Sequence, residues 1–268
     1  MGVVVTRPAH QNRRLLELLS EAGAEPIALP VLKIDELELS DPIRDAVAGV
    51  VDHDWLLFTS ANAVEVFARR LHDFYDPVLT KSGEADRIPG LFAELAARTK
   101  VGAVGGATRS ALEAHGVGVE LVAGEGSGEA LAEALGPAPG PASVLLPRSD
   151  VADDDLVRRL KAKGWSPLPV SLYGPRPADP PVEALERVRR GDYDAITFAS
   201  GSAVRAFVEK VGSPGGLGLS DPDGRRKMIV CIGPKTARAA RDVGFEVGAV
   251  ADEASDAGIV RAIEGLRS

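Results

Sequence analysis

Arginine, serine and threonine recur in matched pairs along the chain, each time where an apolar run gives way to a helical pattern. Arg7 follows VVVT and Arg148 follows VLLP; Ser60 follows LLFT and Ser200 follows ITFA; Thr108 follows VGAVGGA and Thr236 follows VCIGPK. Asn62, Gly201, Ser202 and Lys235 lie beside them. Such a set suits anion binding, because a guanidinium fork matches a carboxylate or phosphate and a helix start offers unpaired N–H groups to one. Each pair also has a plainer structural reading. Ser60 and Ser200 read first as helix N-caps, Thr108 and Thr236 as caps or as ligand hydroxyls, and Arg7 and Arg148 as anion contacts or as partners in a salt bridge. Tyr173, at the end of SPLPVSLYG, is a phenol that could act as an acid or could be a core tyrosine with its tip toward water.

The elements that must position these residues come from an internal duplication. VVVTRPAHQNRRLLELLSEAGAEPIAL aligns with VLLPRSDVADDDLVRRLKAKGWSPLPV, matching Leu15 to Leu156, Leu19 to Leu160 and Gly23 to Gly164. DWLLFTSANAVEVFARRL aligns with DAITFASGSAVRAFVEKV, and VGAVGGATRSALEAHGVGVELV with MIVCIGPKTARAARDVGFEVGAV, in the same order. Self-similarity in colinear blocks is the mark of a repeated structural unit. The connection around FYDPVLTKSGEADRIPGLFAEL in the first copy is longer than its counterpart GSPGGLGLSDPDGRRK. Each block reads as a short buried strand followed by an amphipathic helix, as with Val64, Phe67 and Leu71 after LLFTS. Strand–helix alternation predicts an α/β fold of parallel sheets flanked by helices, with ligands outside the carboxyl ends of the strands, where the paired polar residues fall. Tyr173 breaks the pairing, since its partner in the first copy is Leu32.

Composition narrows the function. At 268 residues, 45% hydrophobic and 26% charged, the chain is long enough for one large or two smaller globular domains, and no apolar run approaches a bilayer span. A net charge of −8 with 4% aromatic residues speaks against a nucleic-acid partner. Four scattered histidines and the single Cys231, inside the apolar run KMIVCIG, give neither a metal site nor an internal disulfide. The opening MGVVVTRPAHQ reads as a first buried strand rather than a secretion signal or a myristoylated terminus, so the expected setting is the cytoplasm.

Two decoys drop out. The loop AGEGSGEALAEAL resembles a phosphate loop, but its repeat partner ADEASDAGIVRAI keeps only the serine, Ser127 against Ser255, so a helix N-cap is expected in both. The carboxylates Asp153, Asp154 and Asp155 stand at a predicted helix start, where they favour the helix dipole rather than a metal.

These blocks together resemble the uroporphyrinogen-III synthase family over nearly the whole chain: VVVTRP, EPIALPVLKI, LLFTSANAVEVF, VGAVGGATRSALEAHG, LLPRSDVADDDLVRRLKAKG, VSLYG, ITFASGSAVRAF and VCIGPKTARAARDVGF. One departure is that Gly174 and Pro175 follow Tyr173, where the family commonly has a polar residue and threonine. The resemblance implies two similar α/β lobes joined by a two-stranded hinge near ALPVLKIDE and PVSLYGPRP, with exchanged segments: residues 1–34 with 174–268 in one lobe, 35–173 in the other. GPAPGP, at 136–141, is then a surface loop rather than a linker. It also implies a cofactor-free lyase that loses water from hydroxymethylbilane and closes it to uroporphyrinogen III through a spiro intermediate, inverting the last pyrrole. The substrate would lie in the cleft. Tyr173 is then the candidate acid, and Arg7, Ser60, Asn62, Thr108, Arg148, Ser200, Gly201, Ser202, Lys235 and Thr236 the candidate substrate contacts. A monomer without metal, nucleic-acid or membrane partners is expected. The rival readings are a non-catalytic tetrapyrrole-binding or regulatory protein of the same fold, and an unrelated two-lobed small-molecule binder.

Overall fold

A computed structural model describes residues 1–82 (backbone only for 77–82), 90–124, 128–213 and 227–266. In chain order the elements are β1 (Gly2–Val5), α1 (Arg13–Glu21), β2 (Glu25–Ala28), β3 (Leu32–Glu36), α2 (Asp41–Ala48), β4 (Trp55–Phe58), α3 (Ala61–Ser82), α4 (Leu91–Ala96), β5 (Lys100–Val104), α5 (Gly105–Ala114) and β6 (Leu121–Ala123). They continue with α6 (Gly128–Leu135), β7 (Ser143–Ser149), α7 (Asp155–Ala162), β8 (Ser166–Pro177), α8 (Val182–Arg189), β9 (Ala195–Phe198), α9 (Gly201–Val211), β10 (Met228–Cys231), α10 (Pro234–Asp242), β11 (Ala249–Val250) and α11 (Asp256–Gly265). The chain divides into two compact units, residues 1–34 with 175–268, and residues 35–174.

The first unit holds a parallel sheet in the order β11-β10-β9-β1-β2. Alternation along β1 sends Val3 and Val5 to one face, where they pack with Leu15 and Leu19 of α1 and Ile259 and Ile263 of α11. Val4 goes to the other face, with Val204 and Phe207 of α9 and Ala237 and Ala240 of α10. Two reciprocal buried bonds stitch β1 to β9: Thr6 Oγ1 donates to the Thr197 carbonyl at 2.7 Å, and Thr197 Oγ1 to the Val4 carbonyl at 3.0 Å. Below them Gly2 N–H donates to Asp194 at 2.6 Å and Arg187 pairs with Glu25. The opening segment is therefore built into the sheet of the second repeat by hydrogen bonds as well as by apolar burial.

The second unit repeats the pattern with the complementary segments, in the order β3-β8-β7-β4-β5-β6. By the sequence alignment β6, β5, β4, β7 and β8 correspond to β11, β10, β9, β1 and β2, so each sheet takes its first strand–helix–strand from one repeat and the rest from the other. This is the segment exchange implied by the resemblance. The sheet differs from a purely parallel one at its edge. Ala178 N–H donates to the Val31 carbonyl at 3.0 Å and Leu37 N–H to the Leu172 carbonyl at 2.9 Å, so β3 runs antiparallel to β8. The passages of the chain from one unit to the other fall inside these two strands.

The duplication reaches into the cores. Phe198, Phe207 and Phe245 form a triangle in the first unit, one pair edge-on and two tilted, with centroids 5.5–6.1 Å apart. Phe58, Phe67 and Phe92 form a triangle in the second, all three pairs edge-on, at 5.6–6.1 Å. Phe92 belongs to α4, in the longer connection of the first repeat, and takes the place that Phe245 fills from beyond α10. Gly23 and Gly164, matched by the repeat, end α1 and α7 with φ of +72° and +87°, a left-handed turn that closes the helix without a Cβ clash. The predicted cap Ser127 lies outside the described residues, as do parts of both connections of unequal length; its partner Ser255 accepts Gly258 N–H at 3.0 Å and caps α11.

Candidate functional site

At the carboxyl end of β9, Ser200 is the N-cap of α9 and accepts Ala203 N–H at 3.1 Å. The amides of Gly201 and Ser202, ahead of the first intrahelical bond, are left without a helical partner. Gly201 is fixed by packing: a Cβ there would stand 3.0 Å from the Ala239 Cβ of α10. Neighbouring α10 has Gly233 as N-cap with no side-chain cap, Pro234 in its first turn, and an exposed Lys235. Thr236 does not open this helix. It lies inside it, 5% exposed, and Thr108 lies likewise inside α5, 3% exposed, behind the N-cap Val104. Neither threonine is a cap, and neither helix start carries a side-chain cap bond.

The two arginines lie just past or inside their strands and each holds a carboxylate at a helix start. Arg7 Nη1 stands 2.7 Å from Asp256 Oδ1, at the first residue of α11, with both side chains 18% exposed. Arg148 does more local work: Nη2 donates to Asp154 Oδ1 at 2.7 Å and to the Ala152 carbonyl at 3.1 Å, and Nη1 to the Asp153 carbonyl at 3.3 Å. It therefore shapes the turn between β7 and α7, where Asp154 stands at the N-cap position without a side-chain cap bond and Asp153 accepts Asp155 N–H at 3.1 Å. In both arginines Nε is buried and has no hydrogen-bond partner among the described residues.

The repeat symmetry breaks at Tyr173. Pairing of β7 with β8 slips between Arg148, opposite Ser171, and Ser149, opposite Tyr173, so Leu172 is an extra residue. Such a bulge shifts the alternation by one and turns the following side chain to the face its predecessor would have taken. Tyr173, 5% exposed, thereby brings its hydroxyl to 2.7 Å from Ser60 Oγ, at the carboxyl end of β4. Ser60 also accepts Ala63 N–H at 3.2 Å and so caps α3, where the half-buried Asn62 lies in the first turn. Burial raises the phenol pKa above its ordinary value, opposed in part by the Ser60 bond. The bulge had no visible sign in the sequence; Leu172 simply reads as one more strand residue.

Cys231 is fully buried, and burial pushes its thiol up to about 11. Among the described residues no group of three His, Cys, Asp or Glu side chains could hold a metal ion, and no helix is long and apolar enough to cross a membrane.

A family model described as "Uroporphyrinogen-III synthase HemD" matches residues 13–261. The chain is 27% identical to the uroporphyrinogen-III synthase of Synechococcus elongatus over 264 residues, 98% of this chain and 94% of that one. It is 26% identical over 241 residues to the porphyrin biosynthesis protein HemD of Ruminiclostridium josui, covering 89% of this chain but only 43% of that longer relative. In fold it is similar to a mutant uroporphyrinogen III synthase of Thermus thermophilus, with TM-score 0.61, 20% identity and coverage of 100% and 98% of the two chains. It is similar also to uroporphyrinogen-III synthetase of Helicobacter pylori, with TM-score 0.60, 17% identity and 99% of each chain covered.

Proposed function

The chain belongs to the uroporphyrinogen-III synthase family, and on that premise we propose that it converts hydroxymethylbilane to uroporphyrinogen III, as a cytoplasmic, monomeric, cyclising hydro-lyase. The observation that supports this most is Tyr173: a phenol kept protonated by burial, aimed by a bulge, and hydrogen-bonded at the start of α3 in one unit only.

Tyr173 donates its proton to the hydroxymethyl oxygen, which leaves as water while the pyrrole nitrogen supplies the electron pair, giving a protonated azafulvene. The already substituted carbon of the last ring attacks it to form the spiro intermediate. Fragmentation and reclosure at the free carbon of that ring complete the inversion, and the proton lost on rearomatisation restores the phenol. Uninverted closure competes without help, so the protein's contribution is to hold one geometry over another. For the carboxylates of the bilane, the second unit offers the first-turn amides of α5, which contains Thr108, and Asn62 in the first turn of α3; the first unit offers those of α10, which contains Thr236, with Gly201, Ser202, Lys235 and Arg7. Arg148 acts through the turn it holds.

The test supplies freshly made hydroxymethylbilane to the purified chain without added metal or nucleotide, and measures uroporphyrin III against I after oxidation. A ratio no higher than the spontaneous background overturns the proposal.

A further inference from the structure

Two repeat-related serines occupy equivalent stations but differ in their bonds. Among the described residues the Ser200 side chain makes its capping bond alone, and the residue that the repeat matches to Tyr173 is Leu32, which has no hydroxyl to offer. Ser60 makes the same cap, at 3.2 Å, and adds the 2.7 Å bond to Tyr173. Capping therefore accounts for Ser200 in full and for Ser60 in part.

Resting on the proposed reaction, we infer that Ser60 is a positioning residue whose rotatable hydroxyl orients the Tyr173 phenol and stabilises the phenolate that forms as the proton departs. The Ala63 amide occupies one lone pair of Ser60 Oγ, leaving one lone pair and one proton. At rest the phenol, the better donor, gives its proton to that lone pair. As Tyr173 passes its proton to the leaving hydroxyl, the Ser60 O–H turns to donate to the phenolate oxygen. The pair gives up one proton, which leaves in the water formed, and regains one when the last ring rearomatises. A hydrogen bond to a charged oxygen is about twice as strong as one between neutral groups, so the bond tightens on the way to the transition state. The cap adds direction, because α3 presents the positive end of its dipole, through the Ala63 amide, to the oxygen that must support a negative charge. Ser60 is thus assigned to Tyr173 rather than to a substrate carboxylate.

The test compares Ser60→Ala, Ser60→Thr and Ser200→Ala with the parent. Ring-fluorinated tyrosine is incorporated and each phenol titration is followed by 19F NMR; of Tyr75, Tyr173 and Tyr193, the Tyr173 signal is the one lost in Tyr173→Phe. The expected result is a higher Tyr173 midpoint in Ser60→Ala, recovery in Ser60→Thr, and no change in Ser200→Ala, which loses a comparable cap. With hydroxymethylbilane, Ser60→Ala is expected to lose about tenfold in kcat for the III isomer, from the charge-assisted part of the bond, with KM little changed, and Ser60→Thr to restore it. A midpoint equal to the parent's in Ser60→Ala overturns the inference, and so does a raised midpoint with undiminished kcat. Should the parent make no III isomer, the reaction proposal falls by that arm, while the titration still decides whether Ser60 acts on the phenol.

Discussion

Removing one atom, the Oη of Tyr173, separates catalysis from packing. Tyr173→Phe keeps a ring that is 95% buried and deletes the 2.7 Å bond to Ser60. That bond joins two neutral groups, so its loss costs about 0.5–1.5 kcal/mol, toward the low end because Ser60 is half-buried and keeps its bond to Ala63 N–H. Against a total of roughly 5–15 kcal/mol the variant remains folded. If the hydroxyl is the acid, the loss in rate is about 10²–10⁴-fold, which is about 3–5 kcal/mol on the barrier. The barrier effect thus exceeds the stability effect several times over, and the two are measured separately by the initial rate of III formation and by the urea midpoint. The pH profile gives a second reading. Burial raises the phenol pKa, so the acid form persists and the rate should show no fall assignable to Tyr173 up to about pH 10, the ordinary phenol value. A folded Tyr173→Phe as active as the parent would refute the acid role and leave positioning alone to carry the reaction.

Gly201→Ala places a methyl 3.0 Å from the Ala239 Cβ, so α9 and α10 must part by a few tenths of an ångström; a destabilisation of about 1 kcal/mol is expected, and Ala239→Gly in the same chain should restore the urea midpoint, whereas a single variant as stable as the parent would show the contact to be slack. Arg148→Ala removes three hydrogen bonds and frees Asp154, while Arg7→Ala removes one charge contact, so calorimetry should find the larger drop in Tm for Arg148; the reverse order would mean that the turn holds itself. Cys231 has a folded-state pKa raised to about 11, so its contribution is fully present below the unfolded thiol range near 8.5 and is lost as pH rises through about 11. Urea midpoints of the parent and Cys231→Ala should accordingly converge with rising pH, and a constant difference between pH 8 and 10.5 would show that the thiol does not titrate with folding.

The sequence carried the fold further than the site because the two depend on different kinds of information. Strands such as VVV and LLF and the helices after them follow from local period and turn residues, and the duplication made each half a check on the other. The exchange of segments came only with the family resemblance, since the Thr6–Thr197 and Gly2–Asp194 bonds that secure it join residues more than 190 positions apart. At the candidate site, pairing by repeat drew attention to the strand ends but misjudged depth: Thr108 and Thr236 look like helix openers because each stands just beyond a strand, yet the turn at Gly105, with φ of +75°, and the turn at Gly233 start each helix earlier and draw the threonine inside. The residue on which the proposed chemistry rests is the one the duplication does not predict. A repeat explains what both copies need in order to fold, which is why Ser200 is satisfied by a cap. Tyr173, the bulge at Leu172 and the second bond of Ser60 occur in one copy, answer no shared folding need, and mark where the two halves have come to do different things.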